Sequence, residues 1–93
     1  MRPYLSVVIP AYNEEINIRL GALEKVARYM DGLSYGWEVL LADDGSTDGT
    51  KGLLDDFALA NKGFRVIKNT HQGKALTVIA GVLAAKGEIV LFT

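Results

Sequence analysis

The chain has 93 residues, room for one small domain, and its 49% hydrophobic and 23% charged residues mark a globular rather than a disordered sequence. Its formal net charge is −1 with acids and bases scattered along the chain, so it offers neither a basic stripe for nucleic acid nor an acidic tail. Zero cysteines exclude a disulfide framework and a thiolate metal site and permit a reducing compartment, and a cytoplasmic location is expected.

The opening apolar run Leu5-Ser6-Val7-Val8-Ile9-Pro10 is too short for a signal peptide, and Asn13-Glu14-Glu15 stand where a small-residue cleavage site belongs. Residues 4–9 are predicted as a strand ended by Pro10, which lacks a ladder donor and restricts Ile9 before it. A helix follows, with Ile16, Leu20, Leu23, Ala27 and Met30 on one apolar stripe. Asn13 is its expected cap, and Glu14 and Glu15 suit the positive end of its dipole. Residues 31–36 read as a loop. A second strand covers 37–42, and an acidic turn, Asp43-Asp44-Gly45-Ser46-Thr47-Asp48-Gly49, leads to a helix over 47–60 with Leu53, Leu54, Phe57 and Ala58 inward. A weaker strand covers 64–68. The next helix, over 73–85, carries Leu76, Ile79, Val82 and Leu83 and stops at Lys86-Gly87. Its apolar stretch is about half of the ~20 residues that a membrane span requires. The last strand covers 88–92.

The runs Val7-Val8-Ile9, Val39-Leu40-Leu41 and Ile89-Val90-Leu91 are continuously apolar, which fits strands covered on both faces. The order β-α-β-α-β-α-β therefore implies an α/β fold: a Rossmann-like, three-layer parallel sheet with right-handed crossovers. Ligands of such sheets gather beyond the carboxyl ends of the strands. Because the sequence ends just after the fourth strand, residues 1–93 are expected to be an incomplete, N-terminal nucleotide-binding part of a larger domain.

Three loops leave strand carboxyl ends: 10–15, 43–49 and 69–74. In the first, Tyr12 can lie against a nucleobase and Glu14 can accept from a ribose hydroxyl or a base; a helix cap with a surface tyrosine explains the same residues. In the second, two adjacent carboxylates are costly without partners. Either one can accept the ring N–H of uracil or guanine, or both bond to turn amides while Ser46 or Thr47 caps the next helix. In the third, the helix-start N–H groups and Lys74 can meet a pyrophosphate. His71, the single histidine, reads as an exposed loop residue, and without cysteine or a second histidine it is no zinc site.

Together these blocks resemble family 2 glycosyltransferases of the GT-A fold. The match is carried by Val7-Val8-Ile9-Pro10-Ala11-Tyr12-Asn13-Glu14-Glu15, by Leu41-Ala42-Asp43-Asp44-Gly45-Ser46-Thr47-Asp48-Gly49-Thr50, and by Gln72-Gly73-Lys74 through Gly81 to Gly87-Glu88-Ile89-Val90-Leu91-Phe92-Thr93. The third block is most similar to the polyprenyl-phosphate branch, the dolichyl-phosphate glucosyl- and mannosyltransferases, although that branch commonly has glycine where this chain has Ala75. The resemblance implies a truncated GT-A nucleotide-binding half in which Pro10, Tyr12, Glu14, Ala42, Asp44 and Lys74 line the nucleotide pocket, with Asp44 as the base-reading carboxylate.

It also implies a parent hexosyltransferase that moves a hexose from UDP-glucose or GDP-mannose, with the third block favouring glucose, to a polyprenyl or dolichyl phosphate. That parent would associate with the cytoplasmic face of a membrane. Its Mg²⁺ or Mn²⁺ would be held by an Asp-x-Asp motif beginning after Thr93, with the catalytic base further on. No residue here is assigned as catalytic or metal-binding, and the 93-residue chain alone is expected to be inactive and to bind nucleotide weakly at best. The rival expectation is a non-catalytic nucleotide-binding or structural piece that self-associates through the open sheet edge. A calcium loop built on Asp44, Ser46, Asp48 and Asp55 is disfavoured, because a strand precedes it and Lys51 occupies an apolar position.

Overall fold

The structure, a computed structural model, describes residues 2–93. The chain runs β1 (Leu5–Ala11), α1 (Glu15–Arg19), α2 (Ala22–Asp31), β2 (Trp37–Asp44), α3 (Thr50–Ala60), β3 (Phe64–Asn69), α4 (Lys74–Ala84) and β4 (Ile89–Phe92). All four strands are parallel, in the order β3-β2-β1-β4. The chain therefore builds outward from β1 to β2 and β3, then crosses back to lay β4 on the other side of β1. This reversal makes the junction of β1 and β4 the topological switch point of the sheet.

Side chains alternate across the sheet, as period-2 strands require. One face carries Leu5, Ala11, Val39, Leu41 and Phe64 against Leu23 and Met30 of α2 and Leu54 of α3. The other carries Val8, Leu40 and Ala42, packed by Ala84, Ala85, Ile67 and Val90. Leu40 and Leu41 are fully buried on opposite faces, each contributing about 1.5–3 kcal/mol of transfer free energy. This two-sided burial is the physical content of the continuous apolar runs.

Three local expectations are corrected. First, β1 continues through Pro10 to Ala11. The Tyr4 and Val8 carbonyls accept from Ile89 and Thr93 of the β4 side, so by two-residue alternation Pro10 directs its missing donor toward that side. The last β1–β4 pair is Val8 with Phe92, and no ladder bond is forfeited at Pro10. Strand β2 likewise runs on through Asp43 and Asp44, so the paired acids are strand residues.

Second, the first crossover is two helices. Gly21, at φ +96°, breaks the expected single helix, closing α1 and opening α2 in a left-handed conformation that glycine adopts without strain. Leu23 and Met30 are buried, whereas Ile16 and Leu20, on the far side of the break, are each 75% exposed. Asn13 does not cap α1.

Third, α4 presents its small side to the sheet. Thr77, Val78 and Gly81 are buried, while Leu76, Ile79, Val82 and Leu83 are exposed. A Cβ on Gly81 would collide with Val8, so the helix lies close over β1 because that position has no side chain. Of the exposed residues, Ile79, Val82 and Leu83 line an apolar groove with Phe92.

Helix α4 is fastened to β2 at its carboxyl end by a partly buried network. Glu38 accepts from Ser6 Oγ at 2.6 Å, from the Lys86 N–H at 2.7 Å and from Arg65 Nε at 3.1 Å. Arg65 also donates to the Ala84 carbonyl at 2.5 Å. Burial pushes the Glu38 carboxyl upward, but the Ser6, Lys86 and Arg65 donors outweigh it and hold the group below its usual 4.5.

Candidate functional site

The β1–α1 and β2–α3 loops brace each other through side chains. Asn13 sits at φ +51°, a left-handed position that asparagine tolerates, and its Oδ1 accepts from the Thr47 N–H at 2.9 Å. The Asn13 N–H donates to Ser46 Oγ at 3.0 Å and the Glu14 N–H to Thr50 Oγ1 at 2.9 Å. Glu15 accepts from the Gly49 N–H at 2.8 Å, and this bond, together with Arg19, lowers its pKa. Ser46 and Thr47 thus tie the two loops together and do not cap α3.

The two aspartates divide their work. Asp43 is fully buried and serves its own turn, accepting from the Gly45 and Ser46 N–H groups at 3.0 and 3.2 Å and from Ser46 Oγ at 2.6 Å. Asp44 points to the other face and collects the β3–α4 loop. Its Oδ1 accepts from Thr77 Oγ1 at 2.6 Å and from the Gln72 N–H at 2.8 Å. Its Oδ2 accepts from the Gly73 N–H at 3.1 Å and lies 3.0 Å from His71 Nδ1. The Thr77 hydroxyl, then the two amides and the His71 ring, keep its carboxyl below the usual 3.8 despite a desolvation penalty.

Above Asp44, the His71 ring stacks on Tyr12 with centroids 4.3 Å apart and planes inclined by 25°. These groups enclose a cavity of about 320 Å³ lined by Pro10, Ala11, Tyr12, Glu14, Asp44, His71, Gly73, Lys74 and Thr93. It lies beyond the carboxyl ends of β1 and β4, at the switch point. Five of the six residues singled out from sequence meet there: Pro10, Tyr12, Glu14, Asp44 and Lys74. The sixth, Ala42, is fully buried in β2 beside Pro10 and lies beneath the wall. Glu14 accepts from Asn17 Nδ2 at 2.6 Å, and Lys74 is exposed and in no ion pair among the described residues.

Sequence reasoning missed His71 and Thr77. The signal for Thr77 was a lone hydroxyl inside the apolar run of α4, which demands a partner. For His71 there was no local signal, because its place depends on Tyr12, almost 60 positions earlier in the chain. The site combines an aromatic surface, an acceptor for hydroxyls at Glu14, and a cation beside a helix start, which together suit a ligand with a ring, hydroxyls and phosphate.

The family model described as "Glycosyl transferase family 2" matches residues 6–93. The chain is 40% identical over 89 residues to an undecaprenyl-phosphate 4-deoxy-4-formamido-L-arabinose transferase of Aeromonas hydrophila, covering 94% of this chain and 27% of that protein. It is 37% identical over 95 residues to a dolichyl-phosphate beta-glucosyltransferase of Saccharomyces cerevisiae, covering 96% of this chain and 28% of that one. Among solved structures, the mannosyltransferase PcManGT from Pyrobaculum calidifontis, in complex with GDP-Man and Mn²⁺, superposes with a TM-score of 0.75 at 28% identity, covering 97% of this chain and 26% of that one. The chain thus spans about a quarter of the length of these relatives.

Proposed function

This chain belongs to glycosyl transferase family 2, and from that premise we propose that its pocket holds the nucleotide of a sugar donor for transfer to a polyprenyl phosphate. The donor is UDP-glucose or GDP-mannose. In the full-length protein the anomeric carbon leaves the nucleoside diphosphate and bonds to an oxygen of the lipid phosphate. The observation that carries this reading is the convergence of three strand-end loops on one cavity at the reversal of strand order. The relatives support it, one being named for a dolichyl-phosphate and another for an undecaprenyl-phosphate acceptor.

In this proposal Tyr12 offers its ring to the base, Glu14 accepts from the ribose, and Lys74 with the start of α4 faces the diphosphate. Pro10 forms the wall over buried Ala42, and Asp44, which lines the cavity, is the base-reading carboxylate. The PcManGT complex contains Mn²⁺, but among the described residues no group of three or more His, Cys, Asp or Glu converges to hold a metal. The proposal leaves Mg²⁺ or Mn²⁺ to ligands outside that set. No described helix is long and apolar enough to cross a membrane. A lipid-phosphate acceptor nevertheless puts the reaction at a membrane surface, and the proposal assigns it to the cytoplasmic side.

The test is a ¹H–¹⁵N NMR titration of this chain with UDP and with GDP. Saturable shifts of the Tyr12, Gly73 and Lys74 amides are expected for at least one nucleotide, with a dissociation constant on the order of 1 mM. Shifts confined to another face, or none with either nucleotide, would overturn the assignment.

A further inference from the structure

At the edge of the sheet opposite the nucleotide cavity lies a second cavity, of about 430 Å³. It opens at the amino ends of β1, β2 and β3 and is lined in part by Arg2, Trp37, Glu38, Arg65 and Lys86. Donor-sugar chemistry belongs to the carboxyl ends of the strands and does not account for it.

Two guanidinium groups are anchored there. Arg2 Nε donates to the Lys86 carbonyl at 2.8 Å. Arg65 donates through Nε to Glu38 at 3.1 Å and through Nη2 to the Ala84 carbonyl at 2.5 Å. The accepting carbonyls are two residues apart, their Cα atoms at most about 7 Å from each other, so both side chains hang on the exit from α4. Each guanidinium carries five N–H donors. These bonds use one in Arg2 and two in Arg65, and the others have no partner among the described residues.

Lys86 is exposed and forms no ion pair among the described residues. Glu38, the acid in this lining, already accepts from the Ser6 hydroxyl, the Lys86 N–H and Arg65. Three positive charges thus stand against one negative charge, an excess of two. Like charges gathered in this way repel one another, and an anion relieves that repulsion.

We propose that Arg2, Arg65 and Lys86 form an anion site for a phosphate group, at the opposite edge of the sheet from the nucleotide. A phosphate monoester carries a charge of about −1.5 to −2 at pH 7, which matches the excess, whereas a carboxylate offers only one charge. Its oxygens accept from both guanidinium forks, and Lys86 adds a point charge. A soluble phosphate ester and a lipid headgroup present the same oxygens. The site stands independently of the nucleotide reading.

Trp37 lines this cavity and is the only tryptophan of the chain, so its fluorescence reports on this site. The test adds inorganic phosphate to the wild-type chain at constant ionic strength, following Trp37 emission and the Gly36, Arg65 and Lys86 amides by NMR. Saturable changes are expected, with a dissociation constant on the order of 1 mM, and chloride at equal ionic strength is expected to give none. Replacing Arg2→Gln and Lys86→Gln together alters two exposed side chains outside the core. Phosphate binding should weaken about 10-fold or more, whereas Lys74→Gln at the nucleotide cavity should leave it unchanged. Cosedimentation with vesicles of phosphatidylcholine, alone or mixed with phosphatidic acid, separates the two sources. Capture by the acidic vesicles that is lost in the double variant assigns a lipid headgroup. Saturable phosphate binding without capture assigns a soluble ester. An equal response to chloride and phosphate, or shifts confined to residues 72–74, would overturn the site. Undiminished binding in the double variant would do the same. The comparison with chloride needs no variant, so a folding defect cannot hide the answer.

Discussion

Gly45 shows how closely single residues set the geometry of the pocket. Its φ of +73° lies in the left-handed region, and a Cβ there would stand 2.5 Å from the His71 nitrogen and 3.0 Å from its Cα. The turn after Asp44 and the loop bearing His71 touch backbone to backbone, which only glycine permits at both counts. Gly45→Ala is expected to cost about 1–3 kcal/mol, read as a lower urea midpoint at unchanged slope. Unchanged stability would mean that the two loops separate without penalty. Neighbouring aspartates show the limit of reading single residues from sequence. The pair's need for partners was legible from its charge, and turn amides do satisfy Asp43. The partners of Asp44 come from the β3–α4 loop and the first turn of α4, 27 to 33 residues later, which no local pattern encodes.

At the scale of elements, the strands were legible because burial on both faces leaves uninterrupted apolar runs, and the parallel order followed from alternation with helices. Helix orientation was less legible. In α4, apolar residues occupy both the sheet-facing and the outer side, so periodicity alone could not choose between them. The chain buries Thr77 and Gly81, because a small face allows the closer approach. The break at Gly21 was visible as a glycine but not as a change of direction.

This packing sets a prediction with opposed terms. Gly81→Ala gains about 1 kcal/mol of helix propensity, yet drives a methyl group into Val8, a fully buried, β-branched side chain with little freedom to yield. Overpacking of this kind costs about 1–3 kcal/mol, so the variant is expected to be less stable, with Val8→Ala in the same background recovering part of the loss. A stabilised Gly81→Ala in chemical denaturation would show that α4 rides farther from the sheet than described.

For the whole molecule, four carboxylates, Glu15, Glu38, Asp44 and Asp48, are held below their usual values. Donors responsible are the Gly49 amide for Glu15, the Ser6 hydroxyl with Lys86 and Arg65 against burial for Glu38, and the Thr77 and Thr50 hydroxyls for Asp44 and Asp48. A depressed folded-state value means that the folded chain binds fewer protons than the unfolded chain. The stabilisation is therefore complete above the unfolded values of 4.5 for Glu and 3.8 for Asp, and is lost as pH falls through the lower folded ones. Thermal melting followed by circular dichroism should give a Tm that depends little on these groups near pH 7 and drops steeply below about pH 4. A Tm unchanged down to pH 2 would contradict the assigned network.

Two of those acids stand near opposite ends of β2 and grip opposite ends of α4. Asp44 takes the Gly73 amide before the helix and Glu38 takes the Lys86 amide after it. With both ends clamped to one strand, the helix cannot ratchet along its axis unless charged hydrogen bonds break at two distant points together. One side of the cavity is thereby pinned at two distant points along β2. The opposite side of the cavity leads into short α1, which buries no residue and is followed by the left-handed Gly21.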